Sequence, residues 1–296
     1  MLQDLSPLQL GPTNFSFGPF PFLIGILNVT PDSFSDGDLY HNPKQALKHA
    51  LDLQAQGADL IEIGAESTRP GATAITVQKE LDRLLPVLDV LRDQINLPVS
   101  LDTRKVKVAE KLLSYGVDLI NDVSAFEFDK EMIPFLAQHH LPAVLMHSRG
   151  NPQTMSSLNR YPNIMEELCR FFEEKLEALD KKKVDLRKII LDPGVGFAKT
   201  GSQNVQLLAY LKQLQKFRRP LMIGLSRKSF LKKYFEEDHV PRDRSTLSEV
   251  AHALCLNQGI QFLRVHNVAA ARRTCTLVND FLSSPSPFEG EGRERG

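Results

Sequence analysis

The chain has 296 residues, and its 36 Lys and Arg against 36 Asp and Glu leave a formal net charge of zero, with 42% apolar residues. Such a balance supplies no diffuse attraction for nucleic acid or anionic lipid, so any bound anion is held by particular local residues and the expected partners are small molecules. Residues 1–18 lack a basic region followed by an apolar core, and no run of about 18 apolar residues occurs, so neither secretion nor membrane insertion is expected.

Residues 1–18 read as an N-terminal extension. The first apolar, β-branched run is 22–27, followed by a loop over 28–42 rich in Ser, Asp and Pro and a helix over 43–56. That helix carries Ala46, Leu47, Ala50, Leu51 and Leu53 at helical spacing, with Gly57 where a C-cap belongs. A run at 59–63 leads into a second long loop, 64–76, and a helix over 77–94. Further runs fall at 97–101, 117–120, 142–146, 188–191, 221–225 and 261–265, with helices expected over 106–115, 164–179, 205–216 and 247–258. Between Asn28 and His266 the repeat averages about 34 residues, the size of one βαβ unit. Eight such units predict an α/β fold, a TIM (β/α)8 barrel forming a single domain over 19–282. The tail 283–296 is Pro, Gly, Ser and charge, and disorder is expected there. Cys169, Cys255 and Cys275 form no Cys-x-x-Cys pair and read as free thiols in a reducing cytoplasm.

In such a barrel the active site lies at the C-terminal ends of the strands, so the residues that end each run are informative. Here they are Asn28; Glu66, Thr68 and Arg69 on the second loop; Asp102; Asn121; Met146 with His147; Asp192; Ser226 to Lys228; and Arg264 with His266. A lone Asp ending a strand is usually a helix cap, but Asp102, Asn121 and Asp192 would converge on one mouth. Together they make an acceptor-rich floor suited to a heterocycle with adjacent N–H donors. Arg264 and His266, two apart on a strand, share a face. The stretch Gly224-Leu225-Ser226-Arg227-Lys228-Ser229 puts small residues and a Lys where a helix begins, a position that favours an anion. With Arg69 on its loop, these groups suggest a phosphate or pyrophosphate ligand. Asp32 and Asp36 on the first loop are open to three readings: Mg²⁺ ligands, general acid or base, or solvated turn residues. Metal-type Cys/His spacing, a Gly-x-Ser-x-Gly elbow and a Walker sequence are absent.

The stretch Gly25-Ile26-Leu27-Asn28-Val29-Thr30-Pro31-Asp32-Ser33-Phe34-Ser35-Asp36-Gly37, followed by Glu66-Ser67-Thr68-Arg69-Pro70-Gly71, resembles the paired signature of the dihydropteroate synthase family. Leu101-Asp102-Thr103, Ile120-Asn121-Asp122, Leu145-Met146-His147, Leu191-Asp192-Pro193-Gly194, Ser226-Arg227-Lys228-Ser229 and Arg264-Val265-His266 agree, so the resemblance covers about 21–281 of the chain. It implies a folate-pathway transferase that joins 6-hydroxymethyl-7,8-dihydropterin pyrophosphate to 4-aminobenzoate, giving 7,8-dihydropteroate and pyrophosphate, and that is a target of sulfonamides.

By the same resemblance, Asp192 takes the pterin amidine, Asn121 and Asp102 further ring nitrogens, and Lys228 the carbonyl side, with Met146 against the ring. Pyrophosphate falls to Ser67, Thr68, Arg69, Arg264 and His266, and to Asn28 as ligand of a Mg²⁺ ion. Aminobenzoate falls near Phe34, Thr68, Arg69, Pro70, Phe197, Lys228 and Ser229. Asp102 and Lys228 are the expected catalytic groups, with Asp36 as proton acceptor. The family also implies a homodimer. Four positions depart from the usual pattern: Asp38 and Ala198 stand where Gly is common, Arg104 replaces a small residue, and Asn267 replaces Asp. Two further readings are a pterin-binding methyltransferase, which needs neither the Ser67-Thr68-Arg69 loop nor the Arg264 and His266 pair, and a non-catalytic pterin-binding protein.

Overall fold

In the computed structural model, which describes residues 5–30, 43–234 and 244–284, the chain opens with a hairpin of β1 (Leu8–Leu10) and β2 (Thr13–Phe15). Eight parallel strands follow: β3 (Phe22–Asn28), β4 (Leu60–Gly64), β5 (Val99–Asp102), β6 (Val117–Asp122), β7 (Ala143–Met146), β8 (Ile189–Asp192), β9 (Met222–Ile223) and β10 (Phe262–Val265). They pair in the order β8-β7-β6-β5-β4-β3-β10-β9. A parallel bridge between Leu191 and Leu221 brings the two ends together, with the Leu191 N–H donating to the Pro220 carbonyl at 2.9 Å. The eight predicted runs each coincide with one barrel strand, and the barrel is the expected α/β fold.

The helices are α1 (Pro43–Ala55), α2 (Val77–Leu91), α3 (Val106–Leu113), α4 (Met132–His139), α5 (Ile164–Lys181), α6 (Gly201–Ala209), α7 (Arg244–Leu256) and α8 (Val268–Ser283). Gly57, at φ +92°, follows α1 as its sequence position suggested. The helix expected over 205–216 is instead α6, started by a Thr200 and Gln203 capping box, and a 3-10 turn over Leu211–Phe217. Helices α4 and α8 were not anticipated. In α8 the cap is Asn267, whose side chain accepts the Ala270 N–H at 3.0 Å, so the departure at this position serves the helix start.

Strand alternation separates two cores. Outward residues such as Leu23, Leu27, Ile61, Ile63, Leu191 and Val265 are fully buried against the helices. Inward residues Ile24, Leu60, Leu119, Val144, Ile190, Met222 and Phe262 fill the barrel, closed from below by Leu8, Leu10 and Phe15 of the hairpin. Phe15 meets Phe22 edge-on at 4.6 Å and Phe262 at 5.9 Å. The stretch read as an extension therefore supplies part of the core. Its strands are three residues each, too short for a period-two signal, and they reverse at Gly11, whose φ of +51° few side chains adopt.

Two residues further along each strand, the same alternation points Glu62, Asn121, Met146, Asp192 and Arg264 into the mouth above this apolar layer. Among the described residues no helix is long and apolar enough to cross a membrane.

Candidate active site

The mouth's floor is built from adjacent strand ends. Asp102 on β5 pairs in register with Asn121 on β6, and Met146 on β7 with Asp192 on β8. Asn121, Met146 and Asp192 are buried. The Asp192 Oδ1 accepts the Gly194 N–H at 2.7 Å, and burial raises its carboxyl above the ordinary range against the opposing charges of Lys228, Arg264 and Lys199. That turn demands glycine: Gly194 has φ +68°, and a Cβ there would lie 1.9 Å from the His147 carbonyl oxygen. The buried Asn121 Oδ1 has no partner, a vacant acceptor of the kind an N–H donor would satisfy.

Arg264 lies across this floor. Its Nε donates to Glu62 and one terminal nitrogen reaches the Asp102 Oδ2 at 3.5 Å. Burial and the Glu62 charge push Asp102 up to about 8, with Arg264 opposing. Glu62 was not among the expected site residues. The available signal was a lone carboxylate inside an otherwise apolar strand, in which all five residues of β4 are buried.

A cationic side adjoins the floor. Burial and the Arg264 charge bring the Lys228 amine down to about 8, against the pull of Asp192, and the ammonium sits 4.4 Å from the Phe197 ring centre. Burial, then Arg227, Arg264, Arg69 and Lys228, take the His266 imidazole down to about 3. It is therefore neutral at pH 7, amid four cations, and its buried Nδ1 has no partner. Ser226 Oγ accepts the His266 N–H at 3.3 Å. The helix expected to open near Lys228 is only a 3-10 turn, Ser229–Tyr234, with Ser229 exposed. Backbone N–H groups of Arg227 and Lys228 already donate to Ser248 Oγ and the Leu225 carbonyl, so anion capture falls to side chains.

The second long loop is tied at its base. Glu66 accepts the Ile75 N–H at 2.9 Å, spanning the loop, and pairs with Arg104 and Lys105 at 2.9 Å each. Lys105 also pairs with buried Glu80 of α2, which accepts the Thr103 hydroxyl at 2.6 Å. Arg104, the departure after Asp102-Thr103, thus anchors the loop and stacks 4.3 Å from the Phe128 ring centre. Ser67 and Thr68 are half-buried, whereas Arg69 and Pro70 are exposed. Thr68 and Phe197 border a shallow, open cleft that also touches Ser124 and Asn151. The loop after β8 is held by Lys199, which donates to the Gly194 and Phe197 carbonyls at 3.0 Å each and contacts His147 Nδ1 at 2.9 Å.

Asn28, half-buried, ends β3 beside Gly64. Phe34, Asp36 and the neighbouring Asp32 and Asp38 lie outside the described residues. The structure thus gathers Asp102, Asn121, Met146, Asp192, Lys228, Arg264 and His266 around one mouth, with the loop of Thr68 and Arg69 at its edge.

Residues 24–266 match the model of the family described as pterin binding enzyme, and the chain belongs to it. Dihydropteroate synthase of Synechocystis sp. is 39% identical over 273 residues, 92% of this chain and 94% of that protein. The Escherichia coli dihydropteroate synthase is 36% identical over 264 residues, 89% of this chain and 93% of that one. Among solved structures, Xanthomonas albilineans dihydropteroate synthase with 4-aminobenzoic acid superposes at a TM-score of 0.86, with 38% identity over 94% of this chain and 99% of that one. A Yersinia pestis dihydropteroate synthase with a sulfonamide drug superposes at 0.88, with 36% identity over 94% and 100%. Within the pterin-binding enzymes, this chain is a member of the dihydropteroate synthase family, transferases of folate biosynthesis.

Proposed function

We propose that this mouth condenses 6-hydroxymethyl-7,8-dihydropterin pyrophosphate with 4-aminobenzoate through the residues described above. The unpartnered Asn121 Oδ1 between two carboxylates, beside a cluster of cations, carries that assignment. Asp192 accepts from the pterin amidine, Asn121 and Asp102 from further ring nitrogens, Lys228 donates on the carbonyl side, and Met146 lies against the ring. Ser67, Thr68, Arg69, Arg264 and His266 hold the pyrophosphate. Aminobenzoate sits near Phe34, Thr68, Arg69, Pro70, Phe197, Lys228 and Ser229, a site the sulfonamides would share.

The pyrophosphate leaves first, because the electron-rich dihydropterin can delocalise the positive charge left on the methylene carbon. Asp102 in its ionised form, which a positive charge developing beside it favours over the form that burial favours in the empty site, stabilises that cation electrostatically, and Arg264 stabilises the departing anion. The aryl amine then attacks, the new C–N bond forms, and its proton passes to water or to Asp36. No strong general base is needed.

Among the described residues no group of three His, Cys, Asp or Glu gathers to hold a metal by itself. One amide oxygen at the mouth, from Asn28, fits a Mg²⁺ ion held mainly by water and substrate oxygens. When bound there it would neutralise charge on the pyrophosphate. A cytoplasmic setting accords with the free thiols. A homodimer would use α7 and α8, which pack together and expose Val250, Leu254, Leu277 and Phe281. Light scattering tests this, and a monomer in solution would refute it.

The decisive assay follows pyrophosphate release from the pterin pyrophosphate with and without 4-aminobenzoate and with EDTA. Release is expected only with both the amine and the metal present. Pterin binding without release would refute the assignment of turnover.

A further inference from the structure

Beneath the proposed pterin floor lies a carboxylate that the mechanism above leaves unused. Glu62 is 1% exposed and points into the barrel one step above the apolar layer. Its Oε2 accepts the Asn121 Nδ2–H at 2.8 Å and faces the Ser100 hydroxyl at 3.5 Å, while Oε1 accepts from Arg264 Nε. We propose that Glu62 is a positioning residue, which orients the Asn121 amide toward the pterin and holds the Arg264 guanidinium against Asp102.

The physical reason is the one-sidedness of a carboxylate, which accepts hydrogen bonds and donates none. It therefore draws the Asn121 NH₂ group down and leaves the Oδ1 directed elsewhere, where it is buried without a partner. A flipped amide would set oxygen against oxygen below and aim N–H groups at the ring donors above. The same carboxylate holds Arg264 by its Nε edge, so the far edge of the guanidinium can meet Asp102. A stability role explains the arrangement less well. Buried ion pairs seldom add net stability, and an apolar residue here would continue the layer formed by Ile24, Leu60 and Leu119. Glu62 thus selects the ligand class, a ring that presents N–H to Asn121, without touching it.

This inference rests on the pterin occupying the Asp102, Asn121 and Asp192 floor, and the experiment separates the two claims. The probe is 6-hydroxymethyl-7,8-dihydropterin, which keeps the N8–H of the substrate ring, titrated by its fluorescence against the full chain, with steady-state kinetics alongside. If wild type fails to bind the probe, or Asp192→Asn binds it as wild type does, the floor reading fails. With those controls holding, Glu62→Gln is expected to weaken pterin binding and lower kcat by about tenfold or more, because the amide at 62 accepts either orientation of Asn121. The KM for 4-aminobenzoate should stay within about threefold, since Glu62 bonds to Asn121, Arg264 and Ser100, none of which is assigned to that site.

A pH profile adds a readout that simple destabilisation would not move. Asp102 is faced by Glu62 from β4, Arg264 from β10, Glu80 from α2 and Asp122 from β6. Removing one of the negative charges should shift the acid limb of pterin binding to lower pH. A swap keeps the test sound if Glu62→Gln folds poorly. Asn121→Asp alone sets two carboxylates face to face and should bind pterin weakly; adding Glu62→Gln recreates an amide and carboxylate pair with roles exchanged and should recover at least about tenfold. Wild-type pterin binding and an unmoved acid limb in Glu62→Gln, or no recovery in the double variant, would overturn the proposal.

Discussion

Replacing Asp192 with Asn tests the floor directly. One oxygen of Asp192 accepts the Gly194 N–H at 2.7 Å, and an Asn oxygen can keep that bond and the turn it makes. What changes is the other atom, from a charged acceptor to an NH₂ donor aimed at ring N–H groups. Losing a hydrogen bond to a charged partner costs about 1.5–3 kcal/mol, and a buried donor left unsatisfied costs about 1–3 kcal/mol more. Together these make about 2.5–6 kcal/mol, or roughly two to four orders of magnitude in Kd. The empty fold should not suffer, because burial already disfavours the ionised Asp192 and a neutral amide avoids that cost. Fluorescence titration with 6-hydroxymethyl-7,8-dihydropterin measures the first effect and thermal unfolding the second. A Kd within about threefold of wild type, at unchanged Tm, would refute the assignment of Asp192 to the pterin.

Three other outcomes are expected. Phe15→Ala removes a fully buried ring from the bottom of the barrel and should cost about 3–5 kcal/mol, seen as a lowered Tm with pterin affinity unchanged; a Tm within about 2 °C of wild type would mean the hairpin does not close the core. Ala198 is held at φ +47°, so Ala198→Gly should stabilise by about 1 kcal/mol in denaturant titration, and a loss of stability would show the strain to be absent. Burial opposes it, but hydrogen bonds from Arg104 and Lys105 hold the Glu66 carboxyl below its ordinary value of 4.5. Glu66 therefore contributes stability above pH 4.5 that is lost as pH falls through the lowered folded value, and Glu66→Gln should flatten the acid decline of Tm. Equal acid slopes in the two proteins would count against the clamp.

Much of the barrel is readable in the chain because each strand carries its own signal. Runs such as 22–27 and, after Lys188, 189–191 are apolar on both faces, and polar residues end them where the mouth must be. Helices α4 and α8 escaped notice. The first is eight residues long and its N-cap Glu131 makes no side-chain capping bond, so little local signal marked its start. The strand expected over 221–225 keeps only Met222 and Ile223 paired with β10, while Leu221 bridges to Leu191 on its other side.

The identities of Asp102, Asn121, Asp192, Arg264 and His266, and their places at strand ends, were fixed by local pattern alone. Closure of the barrel decided what they do to one another. It brought Arg264, from the last strand, against Glu62 on β4, 202 residues earlier in the chain, and turned Glu62 from an oddity in a buried strand into the partner of two mouth residues. It also seated residues 8–15 beneath the barrel, where three short-strand residues fill a space that only eight assembled strands create. Hydrophobic period and turn chemistry act over a few residues and survive in sequence, whereas charge pairing, burial and the shifts they impose on Asp102 and His266 arise only once distant strands lie side by side.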